Sequence, residues 1–130
     1  MKSETRSTII DAPPAKVFAF VSQAENLPLW APAFAREVRR DGDHWVATNA
    51  EGERRMKIDA NPDCGAVDFL VLVAPDFYFR APTRVVPNGD GSEYIFTLFE
   101  APGMDDGRFA GQVDGLAEEL ATLRRLLTPA

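Results

Sequence analysis

The sequence predicts an α+β fold in which a seven-stranded antiparallel sheet and a long C-terminal helix cover each other, with two short helices after the first strand. Two observations carry this prediction. Residues 35–100 alternate between apolar and polar side chains and are interrupted by short turns. The stretch from Met104 to Leu127 instead repeats apolar residues at helical spacing. A sheet with one apolar face and a helix with one apolar stripe bury both surfaces when they pack together.

The long helix carries its apolar residues at alternating spacings of four and three. Asp105 and Asp106 lie at its start, and Arg124 and Arg125 lie near its end, as the helix dipole favours. The predicted apolar stripe consists of Phe109, Val113, Leu116, Leu120, Leu123 and Leu127.

Glycines recur every four residues through the first half of this helix, and Gly107, Gly111 and Gly115 lie nearly opposite the leucine stripe. Each costs about 1 kcal/mol relative to alanine. Two interpretations remain open: a loosely formed first half of the helix, or a smooth face that contacts a second copy of the chain. The protein is therefore expected to be a monomer or a homodimer.

The first third of the chain predicts one strand and two short helices. Thr5 to Ile10 is a β-branched run typical of a strand. Pro13 and Pro14 end it and suit the first turn of a helix, predicted over Ala15 to Ser22. The segment Asn26–Pro32, with two prolines, has room for one more helical turn.

Six strand candidates follow, separated by turns rich in Gly, Pro, Asn and Asp, which predicts an antiparallel meander. The predicted hairpin pairs are Thr48–Glu53, Asn61–Ala66, Val73–Phe79 and Pro87–Ser92. These pairs put one set of side chains on a common inner face: Trp45, Ala47, Arg54, Met56, Ile58, Val67, Phe69, Val71, Val73, Phe79, Ala81, Thr83, Val85, Tyr94, Phe96 and Leu98. The outer face receives Arg55, Lys57, Asp59, Asp68, Arg80, Arg84 and Glu93.

Composition limits the classes of function. A length of 130 residues predicts one domain over residues 1–130. The net charge of -6 disfavours nucleic acid as a partner. The single cysteine, Cys64, the absence of an apolar N-terminal run and the shortness of the longest apolar run, Phe69 to Ala74, predict a cytoplasmic protein without membrane insertion.

Three segments, in this order and spacing, resemble the START-like (SRPBCC) superfamily, which includes the birch-pollen-allergen fold and the polyketide cyclase/dehydrase-like proteins. They are Ile10–Phe18, Leu27–Pro32 and Gly91–Leu98. The resemblance covers nearly the whole chain. It implies a helix-grip fold, in which a curved sheet wraps around the C-terminal helix and a cavity between them holds an apolar molecule. Some members bind and carry ligands, others are cyclases or hydrolases, and others act through a protein partner.

The candidate ligand-binding residues come from the inner face, the helix stripe and the second short helix. Arg54 is the one inner-face charge; its guanidinium either pairs with a carboxylate or a ligand oxygen, or extends out of the cavity mouth. Thr83 and Tyr94 are polar groups that could orient a ligand by one hydrogen bond. The full set is Trp30, Phe34, Trp45, Arg54, Met56, Phe69, Phe79, Thr83, Tyr94, Phe96, Phe109 and Val113. A filled core and a ligand cavity use the same residue types, so the sequence does not separate them.

No catalytic assembly is visible in the sequence. His44, the only histidine, is predicted on the outer face, and Cys64 has no base beside it in sequence. One histidine and one cysteine make a zinc site improbable, so neither a metal nor a cofactor is expected.

Three functions therefore stay open. The first is binding of a small apolar or amphipathic molecule. The second is an enzyme of the cyclase or hydrolase kind that uses Arg54, Tyr94 or His44 on such a ligand. The third is a protein-interaction module whose cavity is filled by its own side chains.

Overall fold

The computed structural model describes residues 1–129, and its seven strands form one open, curved antiparallel sheet with three α-helices. The strands are β1 (Ser3–Ile10), β2 (Glu37–Asp41), β3 (His44–Asn49), β4 (Gly52–Asn61), β5 (Ala66–Ala74), β6 (Phe77–Asn88) and β7 (Gly91–Phe99). The helices are α1 (Pro14–Val21), α2 (Leu27–Trp30) and α3 (Asp106–Leu127), and a 3-10 turn spans Ala24–Asn26. The strand order is β1-β7-β6-β5-β4-β3-β2. This is the helix-grip fold that the sequence predicts.

Three of the four predicted hairpin pairs are observed: Thr48–Glu53, Asn61–Ala66 and Pro87–Ser92. In the β5–β6 hairpin, however, Phe79 pairs with Val71 and not with Val73, because a bulge lies between Leu72 and Ala74. The predicted pair is wrong by two residues, which is one full period of a strand. The side chain of Phe79 therefore stays on the inner face.

The two faces of the sheet differ as predicted. Met56, Val67 and Tyr94 on the inner face are fully buried, whereas Arg80 on the outer face forms ion pairs with Asp68 and Asp59. The inner face packs into one apolar core with α2 and with four leucines of α3: Leu116, Leu120, Leu123 and Leu127.

The position of α1 depends on its first residue, on its buried valines and on a hydrogen bond between β7 and the loop before the helix. Pro14 starts α1, and Val17 and Val21 point into the core with no exposed surface. The buried Ser92 hydroxyl, at the start of β7, donates a 2.7 Å hydrogen bond to the carbonyl of Ala12. This bond ties the loop before α1 to the sheet.

The long helix begins two residues later than the predicted Met104. Its N-cap is Asp105, whose Oδ1 accepts a 2.7 Å hydrogen bond from the Arg108 amide. Within the predicted stripe Val113 is half-buried and the other five residues are buried. No helix within residues 1–129 combines the length and the hydropathy that a membrane span requires.

The glycines of α3 and the glycine of the β4–β5 turn differ in whether the structure requires them. A Cβ atom added at Gly111 or Gly115 would meet nothing within 4 Å, so the chain itself does not require glycine there. Gly65 has a φ of +76°, and a Cβ atom there would lie 2.2 Å from the carbonyl oxygen of Val85. The β4–β5 turn therefore requires glycine, while α3 tolerates alanine.

Replacing Gly111→Ala should raise the free energy of unfolding by about 0.5–1 kcal/mol, because alanine loses less backbone entropy in a helix. The matched change Gly65→Ala should lower it by more than about 1 kcal/mol, because that residue has a left-handed backbone and lies against Val85. Urea unfolding measures both. A wild-type dimer in sedimentation that Gly111→Ala converts to a monomer would instead show that the glycine face contacts a second copy.

Candidate functional site

Four aromatic side chains from three elements meet in the core. Trp30 of α2 lies edge-on to Tyr94 of β7, with ring centroids 6.0 Å apart and planes at 84°. Phe69 of β5 lies 6.3 Å from Trp30 and stacks on Phe96 at 6.2 Å. All four are among the predicted ligand-binding residues, so the fold brings this part of the predicted set together.

Two polar atoms of this aromatic cluster have no hydrogen-bond partner within residues 1–129. They are Nε1 of Trp30 and Oη of Tyr94. Trp30 is 1% exposed and Tyr94 is 0% exposed, so solvent does not reach either side chain. A buried polar group left without a partner costs about 1–3 kcal/mol. Most buried polar groups in proteins are paired, so two unpaired donors in contacting rings mark a place that can take a polar atom of another molecule.

Thr83 of β6 lies near the same phenol but uses its own proton elsewhere. Its hydroxyl donates a 2.5 Å hydrogen bond to the carbonyl of Val67. Burial raises the pKa of Tyr94, the nearby Thr83 hydroxyl opposes the rise, and the negative charge of Glu119 adds to it. Thr83 is nevertheless outside hydrogen-bonding geometry with Tyr94 Oη, which stays unpaired.

Glu119 is the site residue that the sequence prediction misses. It lies on α3 between Leu116 and Leu120, is partly buried, and influences the pKa of Tyr94 through its charge. Burial raises the pKa of the Glu119 carboxyl from its ordinary 4.5 to about 7. A signal was present, since position 119 is only about 60° around the helix from Leu116 and so borders the apolar stripe. Its neighbour Glu118 is exposed.

Arg54 does not join this cluster. It pairs with Ala47 as predicted, but it is exposed. Of the two interpretations of Arg54, a guanidinium paired in an enclosed interior is wrong, because the first residues of β4 extend past the core and reach solvent. Contact of Arg54 with a ligand at the mouth stays a prediction.

The remaining predicted residues differ in how deeply they are buried. Met56 and Phe109 are buried, and Trp45 is half-buried with the Arg40 guanidinium 5.6 Å from its ring centroid. The other half-buried members of the predicted set are Phe34, Phe79 and Val113.

Among the surface pockets formed by residues 1–129 are two that do not reach the aromatic cluster. One, of about 360 Å³, lies between residues 22–25 and the strands β2–β4, with Trp45 and Ile58 in its wall. The other, of about 440 Å³, lies between β1 and α3, with Arg6 and Arg124 in its wall. The second pocket thus lies between the edge strand of the sheet and α3, but neither pocket opens onto Trp30 or Tyr94, whose side chains are buried.

The single histidine and the single cysteine are not part of the aromatic cluster: His44 is the half-buried first residue of β3, and Cys64 lies exposed in the β4–β5 turn. The His44 Nδ1 is 3.0 Å from the Asp43 carboxylate, and the Cys64 thiol is exposed near the Asn61 carbonyl. Within residues 1–129, no three His, Cys, Asp or Glu side chains gather in a way that could hold a metal ion.

The stability of the protein should depend on the protonation of Glu119. With a pKa of about 7 when folded and 4.5 ordinarily, the folded state holds an extra proton between these values, so the free energy of unfolding falls as the pH rises through that window. Glu119→Gln removes this dependence. At about pH 8 the variant should be more stable than the wild type by on the order of 2 kcal/mol, and at about pH 4 the two should be similar.

Glu118→Gln, at the exposed neighbouring position, is the matched control for this experiment and should leave the pH dependence unchanged. Urea unfolding across this pH range measures all three proteins. A Glu119→Gln variant that keeps the wild-type pH dependence would show that this carboxyl titrates as a solvated one.

Solved structures confirm the fold. The protein XoxI from Bacillus cereus is 17% identical, with 98% of this chain and 96% of that chain covered at a TM-score of 0.76. The Aha1 dimer from Colwellia psychrerythraea is 15% identical, with 98% and 96% covered at a TM-score of 0.75. The di-domain ARO/CYC BexL from the BE-7585A biosynthetic pathway is 21% identical, with 96% of this chain and 46% of that chain covered at a TM-score of 0.71. At these identities the likeness concerns the fold alone.

No curated protein sequence matches the chain. One family does, and its description is polyketide cyclase / dehydrase and lipid transport. The match extends over residues 1–128 and confirms the resemblance carried by Ile10–Phe18, Leu27–Pro32 and Gly91–Leu98. By this match over nearly its whole length, the chain belongs to the polyketide cyclase/dehydrase and lipid transport family.

Proposed function

We propose that the protein binds a small apolar or amphipathic molecule between the inner face of the sheet and α3. The observation that carries this proposal is the pair of unpartnered polar atoms, Trp30 Nε1 and Tyr94 Oη, in an otherwise apolar core. An apolar molecule with one polar group would match both properties. Membership of a family that includes lipid transport supports the same reading.

Binding requires the core to open, and one end of the sheet is suited to this. Phe77 of β6 and Val73 of β5 are 48% and 42% exposed there. The start of α3 lies at the same end, since Arg108 Nη2 is 2.9 Å from the carboxylate of Glu51 in the β3–β4 turn. The glycines of α3 lie in this half of the helix, so the part of α3 nearest the exposed apolar residues is also the part with the weakest helical preference.

The second candidate function is an enzyme acting on such a molecule, and Glu119 favours it. A carboxyl with a pKa of about 7 can take up or release a proton near neutral pH, as general acid–base catalysis requires. In this version Glu119 and Tyr94 act on the ligand, in place of the Arg54 and His44 that the sequence suggested. The third candidate, an interaction module, is favoured by the closed core, and its partner would be a second copy of the chain, as in the structurally similar Aha1 dimer.

The proposed function predicts that an apolar probe reaches Trp30 but not Trp45. The probe is bromoundecanol, an amphipathic alcohol whose bromine quenches tryptophan fluorescence on contact. Trp45→Phe leaves Trp30 as the only tryptophan, and its emission should fall on titration. Trp30→Phe leaves Trp45 alone, and its emission should change little, because Trp45 lies at the periphery of the core.

Native mass spectrometry of the protein purified from cells, followed by organic extraction, accompanies the titration and would identify a co-purified molecule. Saturable quenching of Trp30 supports binding in the core. Absence of quenching in the Trp45→Phe protein, together with a clean dimer in the mass spectrum, would contradict the proposal and support the interaction module.

A further inference from the structure

We propose that the groove between β1 and the C-terminal half of α3 binds a phosphate monoester of a small soluble molecule, held between Arg6 on β1 and Arg124 and Arg125 on α3. The groove is the pocket of about 440 Å³ between these two elements, and it does not reach the aromatic cluster. This second site therefore does not depend on binding in the core.

The groove exists because the side of α3 that faces β1 carries small side chains. Ala117 and Ala121 lie one helical turn apart in its wall, and their methyl groups leave space between the helix and the strand. Leu120, which is 3% exposed, closes the floor toward the core. A space of this size can hold a small molecule, and its apolar floor can contact a ring or a short hydrocarbon.

The charged residues in the wall of the groove are all cationic. Arg6 pairs with Phe96 across β1 and β7, which puts its side chain on the inner side of the sheet, toward α3. Arg124 follows Ala121 by three residues and so lies on the same side of the helix. Among residues 1–129, no Asp or Glu lines this pocket, although the chain carries a net charge of -6. The groove is thus a local positive site in an acidic protein.

The three guanidinium groups keep most of their hydrogen-bond donors unused by the protein. The one carboxylate paired with any of them within residues 1–129 is that of Glu4, 3.5 Å from Arg6 Nε. Arg125 Nη2 donates a 3.2 Å hydrogen bond to the Thr122 hydroxyl, and Arg124 donates to no side chain or carbonyl of residues 1–129. Since each guanidinium has five N–H donors, an anion in the groove can be bound from both walls.

The arrangement of these donors fits a phosphate monoester better than a carboxylate. A carboxylate accepts hydrogen bonds through two oxygens in one plane, whereas a phosphate monoester presents three terminal oxygens in different directions. Donors on β1 and donors on α3 can therefore reach the same phosphate group. Three guanidinium charges and the Glu4 carboxylate leave a local charge of +2, which matches the charge of about -1.5 to -2 on a phosphate monoester at neutral pH.

A phosphate monoester could be the head group of a lipid or part of a soluble molecule, and the charge of the protein favours the soluble source. With a net charge of -6, the protein as a whole is repelled by an anionic bilayer. A small anion that enters the groove experiences mainly the nearby arginines, because more distant charges are screened by salt.

The test compares phenyl phosphate, benzoate and phenol, which share a ring and differ in the polar group. Binding is followed at physiological salt in ¹H–¹⁵N spectra through the backbone amide signals of Thr8, Ala117 and Ala121. Phenyl phosphate should shift these signals saturably and bind about tenfold more tightly than benzoate, because it accepts more charge-assisted hydrogen bonds. Phenol, which has no charge, should shift them little. The indole N–H signal of Trp30 is the internal control for the core.

Four variants test the groove itself. Arg6→Gln and Arg124→Gln should each weaken phenyl phosphate binding by about tenfold, because each removes charge-assisted hydrogen bonds. Arg36→Gln removes the same charge at an exposed position outside the groove and should leave binding unchanged. Ala121→Leu fills the groove without changing charge and should weaken binding at least as much as Arg124→Gln. Leucine is a good helix former and position 121 is exposed, so this variant should fold.

The outcomes are distinct for each part of the proposal. Equal binding of phenyl phosphate and benzoate overturns the assignment of a phosphate monoester. If Arg36→Gln weakens binding as much as Arg124→Gln, or if Ala121→Leu has no effect, only the general charge of the protein is involved and the groove is not the site. Sedimentation with phosphatidylcholine vesicles, with and without phosphatidic acid, tests the lipid source. Binding to the phosphatidic acid vesicles without any response to phenyl phosphate overturns the soluble ligand.

Discussion

The structure depends on the packing of the leucine stripe of α3 against the inner face of the sheet. Each of these apolar surfaces is removed from water by contact with the other, and the other features of the molecule follow from this contact. Each side supplies apolar surface along one face only, so neither is stable alone. The contact fixes which side of every strand faces inward. It therefore also fixes where Tyr94, Thr83 and Phe69 point, and it carries Glu119 to the border of the core. Chain connectivity then adds Trp30 from α2.

Within this contact, the side chains that fill the core also carry its unpaired polar atoms. Trp30 and Tyr94 contribute large apolar rings to the core, and their rings stabilise it. The polar atoms of these rings destabilise the core, because burial removes their hydrogen bonds to water and no partner within the described chain replaces them. Such local disagreement between a residue and its surroundings is characteristic of functional sites in otherwise consistent folds.

Most of the fold could be predicted because its determinants are local. The turn residues fix the hairpins, and the period of two fixes the faces, so even the shifted β5–β6 pair leaves Phe79 on the correct side. The bulge at Leu72–Ala74 that causes the shift has no distinctive residue. Arg54 shows a second limit: alternation predicts which face a side chain is on, but not how far the core extends along the strand.

The candidate site was harder to predict. The aromatic rings were found from face and period, but whether a ring's polar atom meets a partner depends on neighbours that are distant in sequence. Glu119 was missed because it resembles its neighbour Glu118 in residue type, although position 119 borders the apolar stripe of α3 and position 118 is exposed. The presence or absence of a cavity depends on how side chains fill space, which periodicity does not describe.

The position of β1 has a consequence for how the chain reaches this structure. β1 lies at one edge of the sheet and pairs only with β7, so Thr5 finds Thr97 across 92 residues. Every other strand contact is a hairpin between neighbours, and such local pairs form early and fast. During synthesis on the ribosome, β1 must therefore wait without a partner until β7 has emerged. Ser3, Thr5, Arg6 and Ser7 make β1 polar, so that during this delay it is a poor partner for a strand of another protein.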